Sequence, residues 1–339
     1  MNRQQLELKG ILSSGEPLLI SEGGLRAALS EVIPGQINPN VSMQDMHPEI
    51  NGSGIVIKTY KETAKELLSK DIAPDLHAAF GDVYPDDEDE FCLTDDYSND
   101  QLPALSIAYY RIFGFISASS WWRFSTKQFE KDLLAAEAND AIKGHFLHIN
   151  SPGGEAWYLD RISETMRTLK KPVFALLEQT CASAAYYIAC HANKIMALTQ
   201  NDQIGCIGVI SDFWISDGYF EQLGFKHIVV RSSQSPLKNK ETENLYKGNA
   251  KAFQKNRLDP IAAQFIQEVR DMRPKLKALP DDAPVIQGET FSAINAEELG
   301  LIDGTMTFIE AIQAAAEMAR TYSASLSGKF NEALKFIPS

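Results

Sequence analysis

Two short stretches hold residue types that chemistry needs. In "EQTCASAAYYIACHANKI" (178–195), Ser183 stands among small and aromatic residues, with Ala182 before it and Ala184, Ala185, Tyr186 and Tyr187 after. In "HINSPGGEAWYLD" (148–160), Pro152 is followed by Gly153 and Gly154. A serine that opens a helix at the bottom of a cleft can attack a carbonyl; one inside a buried helix only fills space and bonds a carbonyl one turn back. Glycines let the backbone approach a substrate closely and offer N–H groups to a developing oxyanion, worth about 2.7–4 kcal/mol per donor. Their plainer use is a tight turn with positive φ. The N–H of Ala184, directly after the serine, is the second candidate donor.

A serine hydroxyl needs a base to become a nucleophile at neutral pH. Of the six histidines, His145 and His148 fall on a predicted strand before "SPGG", and His191 lies two helical turns beyond Ser183. His227, in "GFKHIVV", is the one histidine kept as a candidate base. A lysine taken out of water loses the solvation of its charged form and can also accept the proton. The stretch "VVRSSQSPLKNKETENL" follows a predicted strand over "GFKHIVV" and offers Lys238 and Lys240; a solvated loop is the plainer account of both.

The elements that must position these residues follow a regular tempo. "ALSIAYYRIFGFI" (104–116) is apolar and aromatic, as a buried strand or hairpin is. "STKQFEKDLLAAEAND" (125–140) opens with a capping box, Ser125 with Gln128, and spaces Phe129, Leu133 and Ala136 for a helix. Then come a strand over "GHFLHIN", a helix over "EAWYLDRISETMRTLK", a strand over "PVFALL", a helix opened by Ser183, a strand over "NKIMAL", and "IGCIGVI". Strand and helix in alternation predict parallel α/β units. Ligands gather in such sheets where strands end and helices begin, and "SPGG" and "EQTCAS" both occupy that place.

Composition narrows the partners. The chain has 339 residues, 44% hydrophobic and 23% charged, enough for one large domain or two. A formal charge of −13 argues against nucleic acid and anionic membrane surfaces. Much of that charge sits in "YPDDEDEFCLTDDYSND" (84–100), which reads as a solvated loop or linker and lacks the glycine and terminal glutamate of a calcium loop. The four cysteines (Cys92, Cys181, Cys190, Cys206) have no metal-site spacing, so no metal is expected and reduced thiols fit a cytosol. No signal-peptide core stands at the start, and the most apolar run, "IAYYRIFGFISASSWW", is broken by Arg111. The expectation is a cytoplasmic protein with no membrane anchor.

"HINSPGGEAWYLDRISETMRTLKKPVFAL", "CASAAYYIACHANKIMAL", "IGCIGVI" and the late "QGETFSAINAEELGLIDG" (287–304), in this order and spacing, resemble the SppA (protease IV-type) family of serine peptidases. The resemblance covers about residues 104 to 310. It implies a ClpP/crotonase-like α/β fold, a β-β-α superhelix that is usually oligomeric. Residues 1–103 then form an N-terminal extension with an acidic linker, 104–310 the peptidase domain, and 311–339 a C-terminal helix and tail.

The resemblance also implies a Ser–Lys dyad without cofactor. Ala182-Ser183-Ala184-Ala185-Tyr186 matches the family's serine motif and Ser151 to Gly154 its oxyanion loop. Lys238, before Asn239, fits the lysine position best, although Ser235-Pro236-Leu237 replaces the usual Gly-x-x-Lys lead-in, and Lys240 stays as the alternative base. Cys206 stands where the family commonly has serine, as a structural residue. ClpP peptidases carry a histidine soon after the serine, and "QIGCIGVISD" has none; crotonases bind acyl-CoA and need neither this serine nor the lysine.

Expected partners are a protein or peptide substrate and further copies of the chain. Soluble relatives in tailed-phage head-assembly modules suggest capsid or scaffold proteins and a place inside a prohead in the host cytoplasm. The alternatives are a cytoplasmic bacterial peptide-degrading peptidase and an inactive, scaffold-binding oligomer of the same fold.

Overall fold

A computed structural model of the protein describes residues 92–120, 123–213, 217–226 and 228–334, together with the backbone of two short strands, β1 (Leu18–Ile20) and β2 (Val56–Ile57). His47, His77 and His227 lie outside the described residues. The remaining elements, in chain order, are β3 (Cys92–Thr94), β4 (Ser106–Phe113), α1 (Thr126–Ala138), β5 (Ile142–Ser151), β6 (Gly153–Glu155), α2 (Leu159–Thr168), β7 (Val173–Ala182), α3 (Ala184–Ala189), β8 (Lys194–Ala197) and β9 (Gln203–Gly205). Helices α4 (Asp217–Gln222), α5 (Lys240–Tyr246) and α6 (Asp259–Met272) follow, then β10 (Thr290–Ser292), α7 (Ala293–Leu299) and α8 (Phe308–Leu334).

Strands β4, β5 and β7 read as almost continuous apolar runs because they are covered on both faces, the condition for a parallel sheet. The main sheet runs β10-β9-β7-β5-β4-β3-β2, with β8 also beside β7. The pairs β3–β4, β4–β5, β5–β7, β7–β8 and β7–β9 are parallel, and only the outer pairs β2–β3 and β9–β10 are antiparallel. This mixed α/β architecture with a mostly parallel sheet is that of the ClpP/crotonase fold.

Alternation along the strands sorts side chains into two layers. Ile107, Tyr109, Phe146, Phe174 and Leu176 face the alanine-rich side of α8, through Ala311, Ala315 and Ala319. On the other face, Tyr110, Ile112, Leu147, Ile149 and Leu177 pack with Phe129 and Leu133 of α1, Ile162 of α2, Tyr186 of α3 and Phe265 of α6. The helix anticipated after Ser125 is α1: Ser125 Oγ accepts the Gln128 N–H at 3.4 Å, and Phe129, Leu133 and Ala136 are buried. The reciprocal half of the capping box is absent, since the Gln128 side chain runs forward to Asp132.

Three expectations need correction. Within the acidic stretch 84–100, Cys92–Thr94 is not solvated loop but a buried strand, because its three uncharged residues complete the sheet beside β4. "GFKHIVV" forms no strand among its described residues, for it finds no neighbour to pair with. "IGCIGVI" forms a strand only as far as Gly205, where positive φ at Gly205 and Cys206 turns the chain away. No helix among the described residues is long and apolar enough to cross a membrane.

Candidate active site

The sheet register builds the site. Ser151 at the end of β5 lies beside Cys181 of β7, and Ala182 lies beside Gly205 at the end of β9. The loop after β5 and the helix start after β7 therefore meet at the carboxyl edge of adjacent parallel strands, where ligands bind in such sheets.

Ser183 sits on the turn between β7 and α3 with φ 56° and ψ −118°, a conformation that costs a residue with a side chain about 1–3 kcal/mol. Its N–H donates to the Gly205 carbonyl at 2.8 Å, and its carbonyl accepts the Tyr187 N–H at 2.9 Å. Ser183 is fully buried, and its hydroxyl has no hydrogen-bond partner among the described residues. A hydroxyl left so is itself destabilising by about 1–3 kcal/mol. Packing alone explains neither cost, since alanine would fill the same space with no orphan. Helical bonding starts at Tyr187, so the N–H of Ala184 has no acceptor within α3.

The second donor group is the short strand β6. The Ile116 N–H donates to the Gly153 carbonyl, and the Glu155 N–H donates to the Ile116 carbonyl, each at 2.9 Å. Since polar groups alternate along a strand, the Gly154 N–H and carbonyl face the opposite edge. Gly153, at φ 101°, directs its N–H to Ser151 Oγ at 3.1 Å. Of the two glycines, Gly154 thus has its N–H on the edge opposite Ile116. Its lack of a side chain is a steric requirement: a Cβ there would overlap the Ile116 carbonyl oxygen.

Residues that composition did not single out hold this geometry. Ser151 Oγ donates to the Gly114 carbonyl at 2.6 Å while accepting from Gly153, so it ties the glycine loop to the end of β4. Tyr186 Oη donates to the Leu301 carbonyl at 2.8 Å, joining α3 to the "GLIDG" turn. Asp303 of that turn accepts the Ile195 N–H at 2.8 Å and pairs with Arg273 at 2.6 Å. The late motif therefore works as a brace beneath α3. Only the presence of serine in "SPGG" and of aspartate in "GLIDG" could have signalled these roles.

The lysines stand elsewhere. Lys238 and Lys240 are exposed, Lys240 Nζ pairs with Glu243 at 3.2 Å, and neither lysine bonds the Ser183 hydroxyl. They follow a run with little apolar cover, in which Ile228 is 76% and Val230 87% exposed. The buried histidines are committed to other partners. His145 Nδ1 pairs with Tyr110 Oη at 2.9 Å and His148 Nδ1 with Tyr109 Oη at 2.8 Å, while His191 Nε2 meets Glu268 at 2.6 Å. Burial pushes the Cys206 thiol up, which keeps it protonated and unreactive. Among the described residues, no cluster of His, Cys, Asp or Glu is placed to hold a metal ion.

Just beyond β6, Ala156, Trp157, Leu159, Tyr187, Ile261 and Phe265 line a cavity of about 130 Å³. Tyr158, Asp160 and Gln264 complete its lining.

A parallel α/β sheet with a strained serine and a glycine strand at its carboxyl edge defines a ClpP-like scaffold. The Clp protease model matches residues 115–204 and the model of peptidase family S49 matches residues 165–321. Residues 165–321 are thus similar to peptidase family S49. The chain is 29% identical over 200 residues to the chloroplastic serine protease SPPA of Arabidopsis thaliana, covering 57% of this chain and 28% of that protein. It is 32% identical over 131 residues to a putative signal peptide peptidase SppA of Enterococcus faecium, covering 36% and 38%. The head-tail preconnector protein GP5 of Enterobacteria phage P21 is 27% identical over 198 residues, covering 58% and 38%. The alignments span well under half the length of these three relatives.

Proposed function

We propose that this protein is a serine endopeptidase in which Ser183 is the nucleophile. The observation that carries the reading is the buried Ser183 hydroxyl, without a partner among the described residues, on a strained turn at a strand end next to the one that leads into Gly153 and Gly154. The hydroxyl attacks a peptide carbonyl, the N–H groups of Gly154 and Ala184 hold the oxyanion, and the amine departs with the serine proton. Water then hydrolyses the acyl-enzyme. Gly153, the other candidate donor, supports the loop through Ser151 instead.

Lys238 is the proposed base, with Lys240 as the alternative. Either reaches Ser183 only if the segment from 223 to 240 packs over the site. Leu223, Phe225, Ile228, Val229, Val230 and Leu237 expose their side chains along that segment, an apolar strip that suits burial against a second copy of the chain. That packing would also remove the lysine from water, the condition under which a lysine serves as a base.

The substrate reading is an extended protein segment with an apolar side chain in the cavity beside Trp157. Similarity to a head-tail preconnector protein supports a role in processing capsid or scaffold proteins, as part of domain 104–310 acting with its flanking segments. That no base stands at hydrogen-bond distance among the described residues supports a second reading, an inactive scaffold-binding oligomer.

The test is labelling by a biotinylated fluorophosphonate read by intact mass, for wild type, Ser183→Ala, Lys238→Ala and Lys240→Ala. Labelling lost with Ser183→Ala and with one lysine variant is the expected result. No labelling of wild type, even after the first hundred residues are trimmed, would sink the peptidase reading in favour of the scaffold one.

A further inference from the structure

The edge of β6 that carries the Gly154 N–H is not vacant. Strand β1 pairs with it antiparallel, in the register Leu18 with Glu155, Leu19 with Gly154 and Ile20 with Gly153. These two strands form a sheet of their own, apart from the main sheet. The opposite edge of β6 is taken by Ile116, so β1 occupies the remaining edge.

Resting on the peptidase reading above, we propose that Leu18–Ile20 is a built-in occupant of the substrate strand and that it holds the protein in a self-blocked state. A peptide whose carbonyl is to meet Ser183 and an oxyanion donor must present its backbone beside that donor. Adding a strand to a free sheet edge supplies the main-chain bonds for this, with side-chain pockets giving selectivity. Leu18–Ile20 lies in that arrangement. Because Gly153 and Glu155 spend their polar groups on Ile116, the hydrogen-bonding partner across the pair is Leu19, whose N–H and carbonyl face Gly154. The carbonyl of Leu19 is therefore the group set against the Gly154 N–H.

Chemistry and placement agree on the occupant. "PLLI" (17–20) is uncharged and apolar, and "SEGG" (21–24) follows it with residue types that favour a turn. The segment is tethered to the same chain, so it competes at a local concentration that a free substrate must exceed. The fully buried state of Ser183 and of both glycines fits an edge already in use. The same contact states what a substrate must offer: an extended, apolar stretch running antiparallel to residues 153–155.

The experiment uses the full-length chain. Leu19→Pro removes the N–H that faces Gly154 and fixes φ away from strand values. A fluorescein-labelled peptide of residues 14–24 is titrated by anisotropy against wild type and Leu19→Pro, and fluorophosphonate labelling of Ser183 is timed in both. The expected results are at least tenfold tighter peptide binding and at least tenfold faster labelling in the variant. Added peptide should slow the labelling again. The register is tested with the peptide itself: N-methylation at Leu19 should abolish binding, whereas N-methylation at Ile20, whose N–H points away from β6, should not.

Equal peptide affinity for wild type and variant, or equal loss from both N-methyl peptides, would overturn the proposal. Binding as expected with no labelling of either protein would leave the docked segment standing and remove the peptidase reading instead.

Discussion

The Ser183 N–H and the Gly205 carbonyl are joined at 2.8 Å, so the turn that carries the proposed nucleophile is fastened to the last residue of β9. Gly205 can play this part only without a side chain. It holds φ 120°, and a Cβ there would come within 2.9 Å of the Glu289 carbonyl oxygen. Gly205→Ala should cost about 1–3 kcal/mol, the usual range for strain of this kind. It should also slow labelling of Ser183, because the bond partner shifts. Urea midpoints with labelling rates at matched folded fractions check this; full stability with unchanged labelling would refute it.

Ser151→Ala separates loop support from chemistry. The variant deletes a bond to the Gly114 carbonyl and leaves the Gly153 N–H buried without its acceptor. An orphaned buried group costs about 1–3 kcal/mol, and a loosened oxyanion strand lowers kcat more than it raises KM. Peptidase kinetics beside a denaturation curve give both numbers. Ser151→Thr, which keeps the hydroxyl, should recover part of each loss.

Gly154→Ala is the sharper change. The added methyl would overlap the Ile116 carbonyl oxygen, so β6 must move away from it. Losing one oxyanion donor typically costs about 10²–10³ in rate. A fall of that order in fluorophosphonate labelling is expected, and labelling within threefold of wild type would remove Gly154 from the site.

How much of this was legible depends on the distance over which each residue finds its partner. Strands β4, β5 and β7 declare themselves because burial on both faces forces runs such as "VFALL". Ser183 and the two glycines stand out by residue type at strand ends. Ser151 did not, since its partner Gly114 lies 37 residues away and only the folded sheet brings them together. Strand β3 was hidden by the acidic residues on either side of Cys92–Thr94. "GFKHIVV" misled in the opposite sense: its β-branched residues suit a strand, yet a strand needs an edge to pair with, and this segment has none among the described residues. The lysine position is hard to read for a related reason: the segment that carries it is exposed and finds little cover among the described residues. The pairing of Leu18–Ile20 with the glycine strand could not be read at all, as the two are separated by more than a hundred residues of ordinary composition.

The pair His191–Glu268 ties α3 to α6 and gives a prediction in pH. Burial works against both charges. Yet hydrogen bonds from His191, Arg167 and Ser163 hold the Glu268 carboxyl down to about 2, and the neighbouring Cys190 and Glu268 lift His191 to about 10. A lowered carboxyl stabilises the fold above its ordinary value of 4.5, and that contribution is lost as pH falls toward 2. A raised imidazole stabilises it below its ordinary value of 6.5, and that contribution is lost as pH rises toward 10. The pair therefore contributes most between about pH 4.5 and 6.5. Glu268→Gln should cost about 3 kcal/mol near pH 6, the lower end for a buried pair because Glu268 keeps some contact with water. The gap between wild type and variant should narrow at pH 3 and again near pH 9.5. Denaturant midpoints at the three pH values read it directly, and a gap that does not change with pH would mean the pair is held by packing and not by charge.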